Sequence, residues 1–97
     1  MLITSYNPQV LGDVLVAITA QDTPEQKQQR SGDTVVITDA KSGQLLGVNF
    51  FNASHLLPEL KGQNGQVKLD TAEVAKLNGA LKQAGFDQQL TADTSSH

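Results

Sequence analysis

Ser54-His55 places a hydroxyl beside an imidazole, the residue types from which nucleophile–base pairs are assembled. Their spacing argues against that chemistry. Neighbours on a helix point away from one another, and catalytic triads form by spatial approach rather than adjacency. The structural reading is that Ser54 caps a short helix and His55 lies at or near the surface. Metal chemistry finds no better support, because His55 and His97 stand far apart and no carboxylate–histidine spacing matches a known ligand set. Asp13, Asp33, Asp39 and Asp70 each sit beside a turn, where capping favours them. Gly12, Gly32, Gly43 and Gly47 build no phosphate-binding pattern. Asn52-Ala53-Ser54 has the form of a glycosylation acceptor, but Met1-Leu2-Ile3 carries no basic lead-in, a secretory signal is not expected, and the triplet reads as a helix cap. The expectation is a non-enzyme with no catalytic residue, no metal and no cofactor.

Charge narrows the class further. Seven basic and ten acidic residues leave a net charge of −3. Binding to a nucleic-acid backbone draws its affinity from clustered cations that displace counterions, and here the cations are scattered singly. Direct RNA contact would need Lys27, Arg30 and Lys41 to converge on one face. There is no cysteine, hence no disulfide or thiolate site. The apolar stretches are strand-sized, well short of the ~20 residues of a membrane span. A cytoplasmic protein without membrane contact is expected.

The elements that must position these residues follow from turn signals and periodicity. Leu2 to Tyr6 reads as a strand stopped by Asn7-Pro8. Gly12-Asp13 opens Val14 to Thr19, apolar on both faces and so an inner strand. Gly32-Asp33 opens Thr34 to Thr38 in the same way, and a five-residue link ending in Gly43 leads to Gln44 to Phe51, an antiparallel partner. The similarity of GDVLVAIT and GDTVVIT reflects a shared turn-and-strand grammar rather than a duplication. Ala20 to Ser31 has no large apolar residue and predicts an exposed, mobile loop with at most two helical turns. Asn52 or Ser54 caps a short helix near residues 53–60. Gln66 to Leu69 is a further short strand. Asp70 or Thr71 then caps the main helix, about 71–85, whose Val74, Leu77, Leu81 and Ala84 form one stripe. Glu73 and Lys76 suit an exposed ion pair, and Gly79 suits close packing on the sheet.

The segment Gly47 to Leu57 (GVNFFNASHLL) lies at the junction of strand and helix. Of its consecutive phenylalanines, one should enter the core and the other should find cover against the C-terminal helix or remain for a partner. With this segment, Tyr6-Asn7, Gly12-Asp13, Gly32-Asp33, the C-terminal helix and Leu90-Thr91, the chain resembles the N-terminal domain of the YtpR-type tRNA-binding-domain proteins of Gram-positive bacteria. The resemblance implies that an oligonucleotide-binding barrel follows in the longer protein and carries the tRNA contacts. Phe51, Asn52, Ala53 and Ser54 match the family motif and inherit a structural role.

The expected fold is α+β: an antiparallel sheet of four or five strands with the main helix across one face, in a single domain over residues 1–90 with 91–97 as a linker or disordered tail. The expected function is a non-catalytic module of a tRNA-binding protein, serving protein interaction, dimerisation or positioning. Weak direct RNA contact is the alternative, and a small-molecule or catalytic domain with His55 buried beside a carboxylate is the second.

Overall fold

A computed structural model describes residues 2–91. Six strands form one antiparallel sheet: β1 (Ile3–Tyr6), β2 (Val14–Ile18), β3 (Gln26–Ser31), β4 (Thr34–Asp39), β5 (Leu45–Phe51) and β6 (Gly65–Val67), in the order β3-β4-β5-β2-β1-β6. Three helices and a 3-10 turn complete it: α1 (Pro8–Leu11), α2 (Ala53–Leu56), the turn Pro58–Leu60, and α3 (Thr71–Gln83). The α+β class stands, and the sheet has six strands rather than four or five. The linker expected at 91–97 lies, beyond Thr91, outside the described residues.

The extra strand is β3, where a loop was expected. Gln26–Ser31 pairs along its whole length with β4, from Gln26 opposite Asp39 to Ser31 opposite Thr34. It is an edge strand, and none of its residues is buried. Its hydrogen bonds to β4 hold it, with no contribution from apolar burial, so its sequence carries no period-2 signal.

One face of the sheet carries the core. Tyr6, Leu15, Ala17, Val36, Val48, Phe50 and Val67 lie there, joined by Leu57, Leu60 and the α3 stripe of Val74, Leu77 and Leu81. Each fully covered Leu or Phe side chain contributes about 1.5–3 kcal/mol before ordering costs. β2 is an inner strand as expected, yet only its Leu15 and Ala17 are fully buried. Val14 and Val16 are half-covered and Ile18 is exposed, while Val35, in the same row as Val16, is buried, so the second face is only partly covered.

Asp70 caps α3 through a reciprocal capping box: the Glu73 N–H donates to Asp70 Oδ1 at 2.8 Å and the Asp70 N–H to Glu73 Oε1 at 2.9 Å. Glu73 is thereby drawn to the cap instead of to Lys76. Gly79 faces open space rather than the sheet, and nothing would obstruct a side chain there. Beyond α3 the chain folds back, held by Asn78, whose side-chain amide donates to the Leu90 carbonyl at 2.9 Å and accepts from its N–H at 2.7 Å. That clamp buries Leu90 against the core.

Candidate functional site

The Phe51–Ser54 motif lies where β5 hands over to α2. Phe50 is buried in the core, and Phe51, on the opposite face, is half-covered. Arg30 of β3 lies over it, with the guanidinium carbon 4.7 Å from the ring centroid in a cation–π contact, and Phe51 also lines a cleft together with Ala80 of α3. Asn52 adopts a left-handed conformation with φ 55° and ψ 40°. Among the described residues it is the only non-glycine with positive φ, and asparagine tolerates that region better than most side chains. Asn52 thus reverses the chain at the strand end, and its side chain makes no capping bond.

The cap comes from elsewhere. Asp13, in the turn before β2, accepts the Ser54 N–H on Oδ1 at 2.9 Å and the Ser54 hydroxyl on Oδ2 at 2.6 Å. The Asp13 carbonyl also accepts the Ala53 N–H at 3.2 Å. The buried Tyr6 hydroxyl, at the end of β1, donates to Asp13 Oδ1 at 2.6 Å. One carboxylate therefore ties together β1, the β1–β2 turn and the start of α2, across 41 positions of sequence. Burial alone would raise the Asp13 pKa; the hydrogen bonds from Ser54 and Tyr6 outweigh it and hold the carboxyl below its usual range. The same bond raises the Tyr6 pKa, with burial and the Asp13 charge adding to it. Ser54 cannot serve as a nucleophile to His55 in this arrangement, because its proton is committed to Asp13.

Sequence reading placed Ser54 at the helix start but did not pair it with Asp13 or Tyr6. The signal was the co-occurrence of Tyr6, Gly12-Asp13 and Asn52-Ala53-Ser54 in the resemblance, which now proves to be one hydrogen-bonded knot.

Beside the knot lies a cleft of about 250 Å³, floored by Phe50, Leu56 and Ala80 and rimmed by Asp33, Asn52 and His55. His55 is exposed there rather than buried with a carboxylate. Among the described residues no three His, Asp or Glu side chains gather as a metal site.

The three cations proposed for RNA contact are placed apart. Lys27 and Arg30 lie three positions apart on β3 and so point to opposite faces of the sheet. Arg30 covers Phe51 and donates to the Gly32 carbonyl at 3.1 Å. Lys41, in the β4–β5 turn, pairs with Glu25 at 3.5 Å, an exposed contact of small energetic weight. Among the described residues no helix is long and apolar enough to cross a membrane.

The chain is thus a small α+β domain whose motif residues meet in one hydrogen-bonded knot. The profile "Domain of unknown function (DUF4479)" matches residues 21–93, and the chain belongs to that family. It is 33% identical over 92 residues to the "Putative tRNA-binding protein YtpR" of Bacillus subtilis (strain 168), covering 93% of this chain and 44% of that protein. The chain therefore spans less than half the length of this curated relative. No solved structure matches it.

Proposed function

We propose that this chain is the non-catalytic N-terminal module of a longer tRNA-binding protein, in which it makes protein contacts or sets the position of an RNA-binding domain beyond it. The tRNA contacts belong to that following domain, and Phe51 to Ser54 serve the module's architecture. The observation that carries this reading is the dispersal of cations: Lys27 and Arg30 face opposite ways and Lys41 is paired with Glu25. Kinship to a protein named for tRNA binding, of which this chain matches 44%, supplies the context. The net charge of −3 agrees with a module that leaves RNA to another domain.

The test is a tRNA titration of the isolated chain at low salt, alongside the longer protein with and without residues 1–90. The expected result is no binding by the isolated chain and retained binding by the protein lacking it. Salt-sensitive binding by the isolated chain would overturn the proposal in favour of direct RNA contact.

A further inference from the structure

We infer that Asn64-Gly65, the step into β6, is a self-modification site, at which the asparagine side chain closes on the glycine nitrogen and is converted to aspartate and isoaspartate. The reaction is independent of whether the chain binds RNA. It needs a side-chain amide able to turn back on the main chain, a following backbone nitrogen able to give up its proton, and little bulk on the residue that carries that nitrogen. Glycine meets the last condition best, because it has no Cβ.

The chain has five asparagines, and the fold withdraws four of them. Asn7 precedes Pro8, which has no backbone N–H. Asn49 lies within β5, flanked by β4 and β2, and precedes the bulky Phe50. Asn52 is followed by Ala53, whose N–H donates to the Asp13 carbonyl at 3.2 Å. Asn78 also precedes a glycine, so residue types alone would rank it with Asn64. Yet α3 holds the Gly79 nitrogen in its helical ladder, and Leu90 holds both ends of the Asn78 amide, at 2.9 and 2.7 Å.

Asn64 has none of this restraint from secondary structure. It is exposed and lies outside every helix and strand. Gly65, at φ 105°, is the first residue of β6 and stands opposite Tyr6 in the end pair of the β1–β6 ladder. Its nitrogen reaches the Asn64 amide when that end pair parts, and element ends open at a small fraction of the global unfolding cost.

The chemistry consumes only water. A base takes the Gly65 N–H proton, and the nitrogen attacks Asn64 Cγ. The new N–Cγ bond forms, the Cγ–Nδ2 bond breaks, and the amide nitrogen leaves as ammonia with a proton returned from solvent. Water then opens the cyclic imide. Attack at Cγ gives aspartate, and attack at the Asn64 main-chain carbonyl gives isoaspartate, in which the backbone runs through Cβ. Either product adds one negative charge to the net −3. The iso product also lengthens the chain just before β6, whose Val67 is buried and accepts from the Thr4 hydroxyl.

The test is timed incubation of the folded chain at mildly alkaline pH, followed by tryptic mapping. Cleavage at Lys61, Lys68, Lys76 and Lys82 places Asn64 in peptide 62–68 and Asn78 in peptide 77–82. Peptide 62–68 should gain the mass difference between a hydroxyl and an amino group and split into two products of equal mass. Its rate should exceed that of peptide 77–82 by at least about tenfold, because Asn78 reacts only after α3 opens. In denaturant the two rates should converge to within about threefold, since that protection is gone. Asn64→Gln should abolish the acidic species seen on charge-resolved gels, because the longer side chain would have to close a larger, slower-forming ring. Equal rates in the folded chain, conversion of peptide 77–82 ahead of 62–68, an unchanged peptide 62–68 under conditions that convert the denatured chain, or an acidic species that survives Asn64→Gln would each overturn the assignment.

Discussion

Gly12-Asp13 and Gly32-Asp33 are near-identical punctuation before near-identical strands, and the fold uses them differently. In both, the aspartate's backbone carbonyl supports the β5–α2 junction: the Asp13 carbonyl accepts from Ala53 and the Asp33 carbonyl from Phe51, at 3.2 and 2.7 Å. The side chains diverge. Asp13 is half-buried and takes three hydrogen bonds, two of them from the far side of the chain. Asp33 is exposed on the rim of the cleft. The common sequence signal thus specifies a shared backbone role, and the tertiary partners Tyr6 and Ser54 alone convert one carboxylate into an organising group. A carboxylate is worth most where its removal would strand buried donors.

Removing that group is the sharpest way to break the comparison. Asp13→Ala leaves the buried Tyr6 hydroxyl and the start of α2 without an acceptor, and should destabilise the chain by about 2–4 kcal/mol. For a domain of this size that is a fall in Tm of roughly 10–20 °C, read by thermal melting. Asp33→Ala in the same assay should cost less than about 0.5 kcal/mol. Equal losses at the two sites would refute the distinction.

Acid should expose the same difference. The Asp13 pKa is lowered in the folded state, so its contribution to stability is complete above the ordinary carboxylate range and is lost as pH falls through the lowered value. Denaturant melts between pH 7 and pH 2 should show a declining acid limb that Asp13→Asn flattens. Asp39 is lowered too, chiefly by the Ser42 hydroxyl, then by its N–H and then by the Thr23 hydroxyl, but the two leading contacts are exposed and local to the turn. Asp39→Asn should leave most of that limb in place.

How far the sequence foretold this molecule depends on where the information lies. β2, β4, β5 and α3 announced themselves because each buries apolar side chains, β4 and β5 on both faces, and burial concentrates apolar residue types at strand or helix spacing. The cap at Asp70 was legible because it adjoins the helix it starts, whereas Glu73 was read as a partner for Lys76 and instead closes the capping box. β3 was not legible. Gln26–Ser31 is specified by its neighbour β4 instead of by any face of its own, so a polar edge strand and a polar loop read alike. Leu15 and Ala17 were rightly placed inside, but Val14, Val16 and Ile18 were read as covered when they line a face that is only partly covered; hydrophobicity reports what would be better buried, not what this chain buries by itself. The site fared likewise. Phe51 to Ser54 stood out by their residue types, whereas their partner Asp13 lay 41 residues from Ser54, beyond any local pattern.

The finest test divides the knot between its two donors. Tyr6→Phe removes one hydroxyl from the carboxylate and leaves the ring in the core, and should cost about 1 kcal/mol. Ser54→Ala removes the 2.6 Å hydroxyl bond while its N–H still donates, and should cost somewhat less, about 0.5–1 kcal/mol. Because both donors share Asp13, the double variant should depart from the sum of the singles, with a coupling of at least ~0.5 kcal/mol in a denaturant-based double-mutant cycle. Strict additivity would mean that Tyr6 and Ser54 act through separate contacts, and Asp13 would lose its place as the group that joins β1 to α2.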